Sequence, residues 1–297
     1  MSITGWIKKN TASLENKTVA VSGATGGIGR QLCFHLASLG ASLILLDRNR
    51  EKSRALGEAV KERYPEASVS YITVDLTDTP SVKAAAKELE KMPLDYLILN
   101  AGAYHIPRRK CDTGLDNVFQ INFASPYYLA RELKEKILSR GGRVVAVGSI
   151  AHNYSHIDEG DMDFSSYGKS SKVYGNAKRH LMFSLMGLYS GTNALAVTHP
   201  GITFTNITAH YPKLVFAIIK YPMKVIFMKP QKACLSILRG IFEDTAENEW
   251  IGPGVLGIWG EPKKDRLTTC PSGEAQEICR RADTVYEIMK ALPDIPR

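Results

Sequence analysis

The chain has 297 residues, 44% hydrophobic and 23% charged, a balance that argues against disorder and allows a sizeable buried core. Five scattered cysteines without a C-x-x-C pair argue against a zinc site or a disulfide framework, so no metal is expected. The formal charge of +8 suits an anionic cofactor or surface, but Lys and Arg are spread along the chain without a basic–aromatic patch, so nucleic acid is not an expected partner.

Residues 1–16 contain Trp6 and Ile7 but no long apolar run, and no later stretch is long and apolar enough to span a bilayer. A cytoplasmic location is expected. From Lys17 onward, six β-rich apolar runs follow: 18–22 (TVAVS), 42–47 (SLILLD), 68–74 (SVSYITV), 95–100 (DYLILN), 143–149 (RVVAVGS) and 194–199 (ALAVTH). Helical spacing fills 29–39, 50–63, 81–91 and 128–138 between them. Nearly continuous apolar strands alternating with helices predict an α/β fold, a Rossmann-like doubly wound parallel sheet in a single domain. Beyond Gly201 the pattern changes. Residues 211–230 (YPKLVFAIIKYPMKVIFMKP) read as two short amphipathic helices, followed by a helix at 231–242 and a helical tail at 272–292. The expected division is one domain over 1–297, with a core at 17–206, a substrate lid at 207–230 and a C-terminal extension at 231–297.

The first strand runs into S-G-A-T-G-G-I-G, Ser22 to Gly29, and then a helical pattern. A loop of this kind brings backbone N–H groups and a helix N-terminus against a pyrophosphate, where side chains would intrude. Any tight turn also uses glycine, but this position between strand and helix favours a dinucleotide. The second strand ends in Asp47-Arg48. Asp47 is placed to accept the ribose hydroxyls and to repel a 2′-phosphate, whereas Arg48 would pair with that phosphate. The strand-end carboxylate favours NAD(H), with NADP(H) left open. As a plain alternative, Asp47 would be a turn or cap residue.

Residues 164–181 hold Tyr167, Tyr174 and three nearby lysines. On a helix from Ser170, Tyr174 and Lys178 are i and i+4 and share a face, while Tyr167 and Lys172 diverge. An ammonium beside a phenol lowers its pKa, which equips Tyr174 to move protons at neutral pH. Tyr286 and Lys290 repeat the spacing but follow no serine-ended strand, and read as a surface pair. Around Tyr174 the strand ends converge: Ser149 closes the fifth, Asn100-Ala101-Gly102 the fourth and His199-Pro200-Gly201 the sixth. In a parallel sheet that edge is where ligands bind.

G-A-T-G-G-I-G, L-N-A-G, the strand-end serine, Y-G-N-A-K and H-P-G-I-T-F-T together resemble the short-chain dehydrogenase/reductase family over about residues 17–206. H-P-G, S-I-A-H after the serine and W-I-G-P…G-E-P near residues 250–262 resemble its retinol-dehydrogenase-like branch. Asp47-Arg48-Asn49 departs from the Cys-Arg-Asp or Cys-Arg-Asn of that branch and from its usual NADP preference. The resemblance implies Tyr174 as general acid/base, with Lys178 lowering its pKa and holding the nicotinamide ribose. It implies Ser149 as hydrogen-bond partner of the substrate oxygen and Asn122 as anchor of a proton-relay water; Asn117 does not fit. For the cofactor it implies Gly23, Thr25, Gly27, Ile28 and Gly29 at the phosphates, and Asp75 and Leu76 at adenine. Asn100, Ala101 and Gly102 would lie near the adenine ribose, and Pro200, Gly201, Ile202 and Thr205 near the nicotinamide.

The implied activity is NAD(P)-dependent interconversion of an alcohol and a carbonyl. The apolar content of 211–230 suits a small lipid-, steroid- or retinoid-like substrate, and its lysines suit contact with anionic lipid head groups. Packing on its own domain explains the same apolar face. Family members often pair, so a homo-oligomer is also implied. Two rivals use the same fold: a non-catalytic dinucleotide-binding sensor, which needs only the glycine loop, and a C=C reductase with the same Tyr/Lys pair. A sugar-nucleotide epimerase would space its glycines differently.

Overall fold

A computed structural model describes residues 2–203 and 227–294. Thr205 and nearly all of the 207–230 cover lie outside the described residues. Eight strands form one sheet in the order β3-β2-β1-β4-β5-β6-β7-β8. These are β1 (Thr18–Ser22), β2 (Ser42–Asp47), β3 (Val69–Thr73), β4 (Tyr96–Leu99), β5 (Arg143–Val147), β6 (Leu195–Thr198), β7 (Glu249–Val255) and β8 (Trp259–Arg266). Every neighbouring pair from β3 to β7 is parallel, and β8 closes the edge antiparallel to β7.

Alternate residues of each inner strand feed opposite cores, because strand side chains alternate in direction. Ala20, Leu97, Leu99, Val144 and Ala146 enter one core with helices α4 (Thr79–Lys91), α6 (Ser125–Glu132) and α8 (Ser170–Leu188). Val19, Val21, Ile98, Val145 and Val147 enter the other, with α2 (Gly27–Ser38), α3 (Arg50–Arg63) and α9 (Pro230–Phe242). Both faces are therefore dry, as the continuous apolar strand sequences require. Among the described residues the other α-helices are α1 (Ile3–Asn10), α5 (Asn117–Phe119), α7 (Lys134–Ser139) and α10 (Ser272–Ala291).

The six expected strands form within a residue or two of their predicted ends. Three features were not expected. Residues 3–10 make a helix capped by the Ser2 hydroxyl, and its Trp6, 2% exposed, joins the α2 core. Residues 249–266 form the β7–β8 hairpin, so the C-terminal extension is more than a helical tail. The expected helix at 128–138 is broken at Leu133 into α6 and α7.

Tyr286 corrects the expected surface pair. It is 7% exposed, its ring stacks on Tyr128 at 5.4 Å, and its hydroxyl bonds Glu132. The i, i+4 contact itself forms, with Lys290 Nζ 5.5 Å from the ring centroid, but burying a large aromatic ring with its hydroxyl partnered is what places Tyr286 inside rather than on the surface. The residue packs the tail onto α6, through Tyr128, Arg131 and Glu132.

Candidate active site

The loop after β1 is folded against its neighbours by backbone contacts. Gly23 has φ +64°, and a Cβ on Gly29 would lie 2.3 Å from the Gly23 carbonyl oxygen, so the loop closes only without side chains there. Asn100 Nδ2 donates to the carbonyls of Ser22 and Gly23 at 3.0 and 3.1 Å, and the Ala101 N–H donates to Ser22 Oγ at 3.0 Å. Asn100 thus fastens the first loop to the end of β4.

Asp47 turns inward to the same loop. Its carboxylate accepts from the Thr25 N–H at 3.2 Å, from Thr25 Oγ1 at 2.9 Å and from Ser53 Oγ at 3.0 Å. Burial raises its pKa, and these three donors oppose the shift. Asp75 accepts from the N–H and hydroxyl of Thr77, both at 2.8 Å.

The far wall comes from α8 and β5. Tyr174 is half-buried, and its pKa is pushed up to about 12, first by burial; a hydrogen bond from Ser149 opposes this and Tyr104 adds to it. Because the ring borders the cleft, solvent offsets part of that burial effect. Tyr104 meets it edge-on, with centroids 5.3 Å apart. Lys178 is 2% exposed and donates from Nζ to the Val147 carbonyl at 2.8 Å; burial pulls its pKa down to about 7. Its ammonium lies 5.8 Å from the Tyr174 ring centroid. Burial is the largest influence on both groups.

Asn122 is fully buried within a π-helical turn, Gln120–Ala124, a distortion often found at functional sites. Its amide donates to the carbonyls of Ala103 and Val118 at 2.7 and 2.8 Å, and its Oδ1 accepts from the Ala103 N–H at 3.3 Å. A Cβ on Gly102 would lie 2.9 Å from Asn122 Oδ1 and 3.7 Å from Lys178 Nζ, which puts both beside the end of β4. Asn117 instead donates to the Pro107 carbonyl and accepts from the Arg109 N–H, holding the preceding loop. Tyr167 donates to Asp158 at 2.8 Å, away from Lys172.

Ser149, Tyr174 and Lys178, Asn100 to Gly102 and most of the glycine loop line one cleft of about 740 Å³. Asp47, Arg48, Asp75, Leu76, Pro200, Gly201 and Ile202 line it too. Asn122 supports its floor from behind. The fit to a dinucleotide is direct: one end is walled by backbone amides at the start of α2 and has room for phosphates, and the other carries a phenol and an ammonium. Sequence reasoning missed Tyr104, Ile106, Ile121, Ile150, Tyr154 and Phe227 on the walls and Lys52 at the rim. The signal for Tyr104 was its place two residues past Gly102, on the same strand-end loop. A second cleft, of about 1010 Å³ between α8, α10 and β7, holds none of the motif residues. Among the described residues no cluster could hold a metal, and no helix is long and apolar enough to cross a membrane.

The family model for short chain dehydrogenases matches residues 17–210. Human retinol dehydrogenase 13 is 29% identical over 219 residues, covering 70% of this chain and 65% of its own length. Mouse retinol dehydrogenase 14 is 28% identical over 297 residues, covering 93% of this chain and 86% of its own. A crystal structure of an uncharacterized protein from Mycobacterium paratuberculosis has the same fold, at 23% identity and a TM-score of 0.71, over 94% of this chain and 96% of its own. The match begins at the strand that feeds the glycine loop and runs through the residues gathered around the cleft; the chain belongs to the short-chain dehydrogenase family of NAD(P)-dependent oxidoreductases.

Proposed function

We propose that this protein interconverts an alcohol and a carbonyl on a small apolar substrate. The observation that carries the reading is that Ser149 and Tyr174 line the same cleft as Lys178, and that the glycine loop lines it too. Tyr174 exchanges the proton with the substrate oxygen, and Ser149 hydrogen-bonds the same oxygen as its charge changes. The bound dinucleotide supplies or takes up the hydride. Lys178, moored to Val147, holds the nicotinamide ribose, and when protonated it favours the phenolate of Tyr174. Asn122 fixes the turn behind Lys178 and offers the site for a relay water.

Tyr104, Ile106, Ile150, Tyr154 and Phe227 give the substrate end an aromatic and aliphatic lining, which supports a lipid- or retinoid-like substrate. The names of the relatives point the same way. For the cofactor we favour NAD(H), because a 2′-phosphate would sit beside the Asp47 carboxylate. NADP(H) is the second reading, favoured by Arg48 and Lys52 on the same rim.

The test uses the purified chain with NADH and NADPH against all-trans-retinal, decanal and a steroid ketone, followed by product analysis. Alcohol formation by the wild type but not by Tyr174→Phe supports the proposal. Cofactor binding without turnover of these carbonyls, or of the matching alcohols with NAD+ and NADP+, makes the protein a sensor, and a saturated C–C product makes it a C=C reductase. Tighter NADPH binding replaces the NAD(H) assignment.

A further inference from the structure

His152 lies three residues beyond Ser149, and the reaction described above makes no use of it. Its side chain is fully buried. Its Nδ1 lies 2.7 Å from the Ser149 carbonyl oxygen and its Nε2 2.7 Å from Thr269 Oγ1. A carbonyl has no proton to give, so Nδ1 carries the hydrogen; in the neutral ring Nε2 then accepts from the Thr269 hydroxyl. Burial favours that neutral ring by pulling the imidazole pKa down.

Thr269 belongs to the C-terminal extension, and the extension grips His152 from several sides. Trp250 of β7 meets the ring edge-on, with centroids 5.4 Å apart at 85°, and also stacks on His199 at 4.0 Å. Arg179, next to Lys178 on α8, donates to the Thr269 carbonyl at 2.7 Å and to the His152 carbonyl at 3.4 Å. Glu274 of α10 holds that guanidinium through Nε at 2.7 Å and Nη2 at 2.5 Å. The S-I-A-H, H-P-G and W-I-G-P stretches, far apart in sequence, therefore meet at one ring stack.

We infer that His152 is a positioning residue, whose ring N–H pins the Ser149 carbonyl and so, with the Ala151 N–H that donates to Ser149 Oγ at 3.2 Å, sets where the Ser149 hydroxyl stands on the cleft wall it shares with Tyr174. The C-terminal extension holds the ring in register through Thr269 and Trp250. This rests on the Ser149–Tyr174 reading above and deepens it: the extension is part of the catalytic geometry although it contributes no group to the reacting atoms.

The two nitrogens can be tested apart, because an asparagine amide nitrogen falls near Nδ1 and a glutamine amide near Nε2. We would compare wild type, His152→Asn and His152→Gln by kcat and KM with all-trans-retinal and NADH, by NADH affinity, and by amide hydrogen exchange across residues 149–154. The asparagine variant is expected to keep kcat within about threefold, whereas the glutamine variant should lose about tenfold or more with KM and NADH affinity little changed. Exchange across 149–154 should quicken in the glutamine variant alone. Equal losses in both variants, or in neither, would overturn the inference and leave His152 a packing residue. Should the wild type reduce none of the probe carbonyls, the substrate proposal fails on its own, and hydrogen exchange still decides the role of His152.

Discussion

Lys178 is tied to the sheet rather than to Tyr174: its Nζ donates to the Val147 carbonyl at 2.8 Å, while the Tyr174 ring centroid is 5.8 Å away. One backbone oxygen fixes the ammonium at the end of β5, where it faces both the phenol and the cleft. A lysine so placed carries an energetic cost, because burial disfavours its charge.

That cost has a sign that stability measurements can read. The Lys178 pKa falls from 10.5 to about 7 on folding, so between these values the unfolded chain binds more protons than the folded one. The Lys178 contribution to stability therefore rises with pH across that window and is lost as pH falls through about 7. Wild type minus Lys178→Met, measured by denaturant titration at several pH values, should show this slope, on the order of a few kcal/mol from end to end. A flat difference would mean that the lysine stays charged in the folded protein.

Tyr174→Phe separates binding from chemistry. It removes the proton-transfer group and keeps the ring against Tyr104, so turnover should fall by about a hundredfold or more. NADH affinity, followed by fluorescence, should stay within about threefold, because the ring itself is retained. A variant that keeps most of its turnover would take the proton step away from Tyr174.

Asp47→Ala acts on both cofactor and fold. It strips the acceptor from Thr25 and Ser53, and leaving such donors unpaired costs about 1–3 kcal/mol. NADH binding should weaken while NADPH binding weakens less or improves, as titration of each cofactor would show. Equal weakening of both would make Asp47 a brace for the glycine loop with no part in choosing the cofactor.

Glu274→Ala should be the most damaging of these substitutions. Arg179 is fully buried and Glu274 supplies its counter-charge, so removing the carboxylate leaves a buried cation facing carbonyls and the Phe183 ring, with no counter-charge from Glu274. The expected loss is about 3 kcal/mol or more, read by thermal or denaturant unfolding. In wild type, burial raises the Glu274 pKa, but the Arg179 hydrogen bond, the Ile157 N–H and the Arg179 charge together bring it below its ordinary value of 4.5. The stabilisation is thus present above that value and lost as pH falls through the folded pKa.

The sequence by itself determined the alternation of apolar strands and amphipathic helices, and hence the parallel sheet with both faces covered. It also determined the glycine loop and the pairing of Tyr174 with Lys178, because strand period, helix period and i, i+4 spacing are local properties. What only the tertiary structure decided depends on partners distant in the chain. Asp47 spends its oxygens on Thr25 and Ser53, and Lys178 hangs from Val147. Tyr286 is buried by Tyr128, where its spacing alone suggested a surface pair. Trp250 brings His152 and His199 together only because β7 joins the sheet beside β6. The pKa values belong to the same group, since desolvation, the largest influence on Tyr174 and Lys178, is set by what packs around a side chain and not by its neighbours in sequence.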